Sequence, residues 1–158
     1  MSIKEALDLF KNLLADTTQK RETKLYKKFI GLLSGLNEMK LEKEKEQQIE
    51  EYIEGLRLNA IKERRHRAFT KKYREFTDYL KTKFSFVTEG YYTAVGLSLG
   101  LSFGAGLGVT FGSIGGGLGI SMGISFGAGI GLVVGMLVGN HLDKEAKENG
   151  KVIFTNID

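Results

Sequence analysis

The residue types that most often carry out chemistry are sparse in this sequence and do not form sets. The chain contains no cysteine, which excludes thiolate nucleophiles, disulfides and thiolate metal sites. Its two histidines, His66 and His141, stand in unrelated contexts, and although Glu145 follows His141 by four residues, no third metal ligand can be nominated. No nucleophile, base and orienting acid can be grouped either. The sequence therefore predicts neither an enzyme nor a metal-binding protein, and no cofactor is expected.

Glycine-rich loops that hold nucleotide phosphates are not predicted either. Gly104-Ala-Gly-Leu-Gly108 has the wrong spacing for a dinucleotide fingerprint, and no acidic residue follows it at the expected distance. Gly150-Lys151 is followed by valine, whereas a phosphate loop requires serine or threonine there. The glycines therefore need another explanation, and so do the serine and threonine hydroxyls that lie among them.

The segment from Thr93 to Asn140 contains no Asp, Glu, Lys, Arg or His over 48 residues. One helix needs about 20 apolar residues to cross a bilayer, so this length suffices for two spans. We predict a transmembrane helical hairpin within residues 86–141, with spans at about residues 93–113 and 118–140. Consecutive glycines between Ser113 and Gly119 would let the chain reverse its direction.

Glycine recurs at every fourth position along each predicted span, with one change of phase between the two. Apolar burial does not drive helices together in lipid, so close backbone approach across small residues provides the packing energy instead. Gly96–Gly108 is repeated as Gly119–Gly131, at an offset of 23 residues, as expected for two equivalent spans. The predicted helix-packing residues are Gly96, Gly100, Gly104, Gly108, Gly112, Gly119, Gly123, Gly127, Gly131, Gly135 and Gly139.

A second set of small residues is displaced by two positions from these glycines, which places it roughly on the opposite face of each helix. Its hydroxyl-bearing members are Ser98, Ser102, Thr110, Ser121 and Ser125. A helix with two narrow faces can pack on two neighbours, so one face could close the hairpin while the other contacts another subunit. We therefore expect a homo-oligomer. The hydroxyls could line a narrow polar path, or they could donate to their own helix and only assist packing.

A membrane-inserting β-hairpin is the alternative fold for this segment. Small and bulky residues mostly alternate from Gly96 to Gly112 and again from Gly119 to Gly127, which is typical of strands in pores. Glycine has poor strand propensity, however, and the alternation fails in Leu132–Gly139. The strict fourfold glycine spacing therefore favours helices.

Residues 1–85 carry most of the charge and are predicted to form a helical domain in water. Apolar residues recur at steps of three and four from Ile3 to Leu14 and from Leu25 to Leu36, which predicts two amphipathic helices. Asn37 is expected to break the second helix and to cap the next one. Because proline is absent, residues 39–84 could form one long helix or two.

Basic residues dominate the part of this domain that precedes the hairpin. Such a run predicts contact with anionic lipid headgroups or another polyanion, and the positive-inside rule places it in the cytoplasm. Two spans return the chain to the starting side, so residues 142–158 should form a cytoplasmic tail. The nominated basic residues are Arg57, Arg64, Arg65, Arg67, Lys71, Lys72, Arg74, Lys81 and Lys83.

Nucleic-acid binding is a less favoured interpretation of the same stretch. Phe69, Tyr73, Phe76 and Tyr79 lie among the basic residues and could stack on bases. The same four aromatics recur at helical spacing, which is more typical of a protein core, and no recognised nucleic-acid motif accompanies them.

The repeated Gly-x-x-x-Gly pairs, followed by Gly139-Asn-His-Leu-Asp-Lys-Glu-Ala-Lys-Glu-Asn-Gly-Lys-Val-Ile153, resemble small bacterial glycine zipper family proteins. The resemblance covers about the last 60 residues. It implies a bacterial origin and residence in a membrane, here the inner (cytoplasmic) membrane, and it implies little about activity.

These observations predict an all-α membrane protein in which an N-terminal cytoplasmic helical domain precedes a glycine-zipper transmembrane hairpin. The leading functional hypothesis is an oligomeric bundle that conducts ions or permeabilises the membrane, for which a toxin or an antiviral effector is a natural setting. The alternative is a non-conducting anchor or scaffold whose helical domain recruits a cytoplasmic protein partner. A membrane-tethered nucleic-acid binder is a third hypothesis.

Overall fold

The computed structural model describes residues 1–61, 65–114 and 117–155, and the chain divides into two compact units. The first unit, called the helical domain below, comprises Met1–Thr88 and the residues from Lys151 onward. The second, called the hairpin, comprises Glu89–Gly150. Arg64 of the nominated basic set and residues 115–116 of the predicted turn lie outside the described residues.

Four α-helices form the described part of the helical domain: α1 (Ile3–Asp16), α2 (Lys20–Glu38), α3 (Lys43–Gly55) and α4 (Arg65–Phe84). A capping box starts α1, because the Ser2 hydroxyl accepts from the Glu5 backbone N–H and the Glu5 carboxylate accepts from the Ser2 N–H. The same local signal, a serine followed three residues later by a glutamate, is visible in the sequence.

The core of the helical domain lies where the apolar faces of α1, α2 and α4 meet. Phe10 of α1 stacks on Phe29 of α2 with ring centroids 4.0 Å apart, and Phe69 of α4 meets Phe10 edge-on at 5.4 Å. These three side chains are almost completely buried. The apolar periodicity of the sequence therefore identifies the faces that pack together.

Residues 39–84 form two helices, α3 and α4, separated by a 3-10 turn at Leu58–Ala60. Arg57 begins this turn in the left-handed region, with φ of 50°. The expectation that Asn37 breaks α2 and caps the next helix is wrong. Asn37 lies inside α2, and α3 begins after Glu42, whose side chain makes no capping hydrogen bond.

Two short strands, β1 (Val87–Thr88) and β2 (Val152–Ile153), pair in parallel within the helical domain. Val87 lies opposite Val152, and the Val87 N–H donates to the Lys151 carbonyl oxygen at 3.0 Å. Val152 and Ile153 are buried, and β2 lies against α2 at Gly35. The described residues after the hairpin, 151–155, are thus part of the helical domain and not a separate tail.

The hairpin consists of α5 (Tyr91–Ile114) and α6 (Gly117–Glu148), and both helices are long and apolar enough to cross a membrane. The glycine-rich segment is helical, so the β-hairpin alternative is not what the structure has. The polar residues from Asn140 to Glu148 continue α6 without interruption. Gly150 follows with φ of 64° and its N–H donates to the Lys147 carbonyl oxygen, which ends the helix in the way that glycine favours.

Candidate functional site

The contact between α5 and α6 is made by glycines from both helices. A methyl group added to Gly104 would lie 3.0 Å from the Gly131 Cα and closer still to the Gly127 carbonyl oxygen. The reverse substitution meets the same obstacle, because a Cβ on Gly127 would lie 2.9 Å from the Gly108 Cα. The atoms that an added Cβ would meet belong to the backbone, so no flexible side chain could move to relieve the clash. The two helices approach each other as closely as they do only because both lack side chains at these positions.

All the glycines predicted to pack helices lie along this contact, which we call the glycine seam. At ten of them an added Cβ would collide with the backbone of a glycine on the other helix or of its neighbour, and at Gly139 with the backbone of Thr93. The seam comprises Gly96, Gly100, Gly104, Gly108 and Gly112 on α5 and Gly119, Gly123, Gly127, Gly131, Gly135 and Gly139 on α6. It therefore runs along most of α5 and along α6 as far as Gly139.

The second small-residue set lies away from the seam, and we call it the hydroxyl edge. A Cβ added to Gly106 of α5 or Gly129 of α6 would have no atom within 4 Å. The predicted hydroxyl residues on this edge are exposed; they are Ser98, Ser102, Thr110, Ser121 and Ser125. The edge is therefore unoccupied within one copy of the hairpin.

Hydroxyls on this edge donate to their own helix. The Ser98 and Ser102 hydroxyls donate to the carbonyl oxygens four residues earlier at 2.9 Å, Thr110 does so at 3.2 Å and Ser125 at 3.0 Å. A hydroxyl that donates in this way still has acceptor lone pairs to offer. The edge therefore combines low bulk with weak polarity and leaves none of these four donors unpaired.

Large apolar side chains cover the sides of the hairpin between the seam and the edge. They enclose an open groove of about 710 Å³ whose floor is the glycine seam. Phe103 and Phe111 are each 70% exposed, and Phe126 is 66% exposed. The groove walls are Leu99, Phe103, Leu107, Phe111, Phe126, Ile130, Val134 and Val138. A soluble protein rarely presents so large a continuous apolar surface, whereas lipid would cover it without penalty.

Asp143 caps the first turn of α5, and the sequence analysis missed it. Its carboxylate accepts from the backbone N–H groups of Tyr92 at 3.0 Å and Thr93 at 2.9 Å, and from the Thr93 hydroxyl at 2.6 Å. The start of α5 needs such a partner because the residues before it, Glu89 and Gly90, provide no serine, threonine, asparagine or aspartate cap. The missing local cap was the signal that a residue from elsewhere would supply it.

The described members of the nominated basic set lie in the helical domain, and two of them share one acidic partner. Lys72 and Lys71 contact the Glu75 carboxylate at 2.9 Å and 3.9 Å. The hydrogen bond from Lys72 lowers the pKa of Glu75 below its usual range. The other described members are exposed; they are Arg57, Arg65, Arg67, Arg74, Lys81 and Lys83.

The aromatic residues among them belong to the core. Phe69 and Phe76 are each 1% exposed, and Tyr79 stacks on Tyr52 of α3 with ring centroids 3.8 Å apart. Tyr73 packs edge-on against Phe29 at 5.1 Å. These rings are therefore engaged by other rings and are not presented as a platform for nucleic-acid bases.

Within residues 1–61, 65–114 and 117–155, no three His, Cys, Asp or Glu side chains come together as a metal site would require. No protein-family model, curated protein or solved structure matches this chain.

Proposed function

We propose that the protein is an oligomeric membrane protein whose hairpin inserts into the bacterial cytoplasmic membrane and assembles with other copies into a bundle that permeabilises it to ions. The single observation that carries this proposal is the hydroxyl edge. It runs along both helices opposite the glycine seam and meets nothing within one hairpin at Gly106 and Gly129.

Insertion is supported by the surface of the hairpin. Both helices have the length and composition of membrane spans, and their bulkiest side chains, such as Phe103 and Phe111, point outward. In water this arrangement would leave the phenyl rings hydrated, and exposing apolar surface to water costs about 25 cal/mol per Å². In lipid the same rings are solvated, and the glycine seam supplies the contact that holds α5 and α6 together.

Assembly is supported by the division of labour between the two small-residue faces. Along the glycine seam each helix already packs on the backbone of the other, so a second copy cannot make the same close contact there. The hydroxyl edge provides the same small profile on the outer side of each helix, where the backbone of a neighbouring copy could approach closely. Self-association therefore explains why each helix has a hydroxyl edge that the hairpin itself does not use.

Conduction is supported by the unequal length of the edge on the two helices. On α5 the edge carries hydroxyls from Ser98 to Thr110, whereas on α6 the hydroxyls end at Ser125 and the edge continues as Val133. Only α5 could present weakly polar groups to water over most of a span, so we place α5 around the central axis and α6 toward lipid. Water would accept no hydrogen bonds from these donors but could donate to their oxygens.

Orientation follows from charge and connectivity. The nominated basic residues precede the hairpin, which favours the cytoplasm for the helical domain. β1 precedes the hairpin, β2 follows it, and the two strands pair, which supports placing both hairpin connections on one side of the membrane. The resemblance to bacterial glycine zipper family proteins supports the bacterial inner membrane as the location. A toxin or antiviral effector remains the natural setting for such an activity.

Current across planar bilayers tests conduction. We expect the purified protein to conduct, and Gly106→Leu with Gly129→Leu to abolish the current because the added side chains keep neighbouring copies apart. Val109→Leu adds bulk on an exposed side of α5 away from the edge and should leave the current unchanged. A wild-type protein that inserts yet stays silent under every trigger applied would contradict conduction.

A non-conducting anchor or scaffold is the second candidate, and the back-donated hydroxyls favour it. Ser98 and Ser102 already satisfy their donors within α5, so the edge can pack against protein without facing water. In that case the oligomer forms but carries no current, and the helical domain retains a cytoplasmic protein partner when the edge is altered. Affinity capture from the native host with wild-type and edge-variant protein separates the two candidates.

A further inference from the structure

The N-terminal half of α2 carries a cluster of basic side chains that the sequence analysis did not nominate. All its members are exposed; they are Lys20, Arg21, Lys24, Lys27 and Lys28. At 100° per residue, the five side chains fall within an arc of about 120° on one side of the helix. We call this arc the α2 basic face.

No acidic side chain offsets the α2 basic face from the same half of the helix. Glu22, the acid within this stretch, is only 9% exposed and accepts a hydrogen bond from the Thr17 hydroxyl at 2.8 Å. In the described part of the chain, none of the five cations takes part in an ion pair, whereas Lys71 and Lys72 of α4 share Glu75. The face therefore presents an uncompensated positive charge.

Folding alone does not account for this arrangement. The opposite side of α2 supplies the core through Leu25, Tyr26 and Phe29, so the basic face lies outside the buried core. Lys20, Lys24 and Lys28 are four residues apart, and like charges at that spacing destabilise a helix. An anionic partner that binds the face would remove this repulsion.

We propose that the α2 basic face binds anionic phospholipid headgroups. Four of its five residues are lysines, whose compact ammonium groups on flexible stems suit a fluid layer of phosphates without fixed geometry. The chain continues from β1 into the hairpin at Glu89, so insertion of the hairpin tethers the face near a lipid surface; in this respect the inference rests on the proposed function. Nucleic acid is less well served, because the face carries no aromatic residue for bases to stack on.

Amine labelling of the full-length protein in nanodiscs tests this assignment. The protein is reconstituted into phosphatidylcholine alone and into phosphatidylcholine mixed with phosphatidylglycerol, and the acylation rate of each lysine is measured by mass spectrometry. We expect Lys20, Lys24, Lys27 and Lys28 to be labelled about fivefold more slowly or slower still in the anionic nanodiscs, since each basic residue near such a surface gains about a fivefold preference. The exposed lysines Lys4 and Lys11 of α1 serve as internal references.

High salt should restore the labelling rate, because screening weakens contact with headgroups. In the double variant Lys24→Gln with Lys28→Gln, protection of the remaining Lys20 and Lys27 should fall, whereas Lys4→Gln with Lys11→Gln should leave it unchanged. These substitutions are at exposed positions, so the helical domain should fold in both cases.

Equal labelling rates in the two kinds of nanodisc would overturn the assignment. So would protection by added duplex DNA in phosphatidylcholine nanodiscs without protection by phosphatidylglycerol, which would identify a nucleic-acid face instead. Failure of the protein to enter either kind of nanodisc would contradict the proposed function, whereas entry without lipid-dependent protection would contradict only the headgroup site.

Discussion

At the scale of single residues, Tyr26 carries a buried hydroxyl without a well-formed hydrogen bond. Its side chain is 0% exposed, and although its hydroxyl lies near the Glu22 carboxylate, it makes no hydrogen bond of good geometry with a described residue. A buried hydroxyl left unpaired destabilises the folded state by about 1 kcal/mol or more. We therefore expect Tyr26→Phe to raise the free energy of unfolding of the helical domain by about 1 kcal/mol. Urea denaturation in detergent, followed by near-ultraviolet circular dichroism, measures this; a loss of stability would contradict it.

The same residue predicts how stability depends on alkaline pH. Burial, and then the charge of Glu22, raise the pKa of Tyr26 from 10.0 to about 12. Because its pKa is higher in the folded than in the unfolded state, Tyr26 lowers the free energy of unfolding as the pH rises. The full free energy of unfolding is present below pH 10, and the loss is complete once the pH has risen through about 12. Relative to Tyr26→Phe, the wild type should lose on the order of 2 to 3 kcal/mol over this window. Parallel pH profiles for the two proteins would contradict the prediction.

Gly35 provides a second prediction at this scale, because the C-terminal strand lies directly on it. A methyl group there would lie 2.6 Å from the Ile153 Cγ2 and closer to the Phe154 carbonyl oxygen. Gly35→Ala should therefore destabilise the helical domain by about 1 to 3 kcal/mol through overpacking. Gly55→Ala in α3 is the control, since nothing lies within 4 Å of its added carbon and alanine favours helix. Equal effects of the two substitutions on urea denaturation would contradict the contact.

At the scale of elements, two nearby glycines of α5 have different roles, because Gly104 lies in the seam and Gly106 lies on the edge. Gly104→Ala should force α5 and α6 apart, because its added carbon meets backbone, whereas Gly106→Ala meets nothing within 4 Å. The chain has no native cysteine, so spin labels on cysteines at Leu101 and Met136, which are exposed outside the seam and the edge, report the width of the hairpin. We expect a longer distance in Gly104→Ala and an unchanged distance in Gly106→Ala. A longer distance in Gly106→Ala with an unchanged distance in Gly104→Ala would contradict the assignment of Gly104 to the helix contact.

The cap supplied by Asp143 predicts where α5 frays. Asp143→Ala removes the acceptor for the Tyr92 and Thr93 N–H groups and should destabilise the first turn by about 1 kcal/mol. Asp143→Asn keeps one carbonyl oxygen and should have the smaller effect. Hydrogen exchange at the amides of Tyr92 and Thr93 measures the fraying. Unchanged exchange rates in Asp143→Ala would show that the cap contributes nothing.

The same elements show which features a sequence can predict. The periodicity of Ile3–Leu14 and the fourfold glycine spacing are local signals, and both identify the faces on which helices pack. The pairing of β1 with β2 and the Asp143 cap join residues that are distant along the chain, so no local pattern contains them. Asn37 misled because a capping preference is weaker than the burial of Gly35 and Leu36 beside it, which keeps that end of α2 helical.

At the scale of the whole molecule, the proposed account has one structural consequence for every copy. Each hairpin uses its glycine seam internally, and we propose that its hydroxyl edge contacts the next copy. Substitutions on the edge should therefore change assembly and leave the hairpin intact, whereas substitutions on the seam should damage the hairpin first.

The mass of the protein in detergent, measured by native mass spectrometry or light scattering, shows whether the hydroxyl edge holds copies of the protein together. We expect the wild type to be an oligomer and Gly106→Leu with Gly129→Leu to be a monomer whose spin-label distance across the hairpin is that of the wild type. Val109→Leu, on an exposed side of α5, should remain oligomeric. A wild type that is monomeric at all protein concentrations, or an edge variant that assembles as the wild type does, would contradict the account.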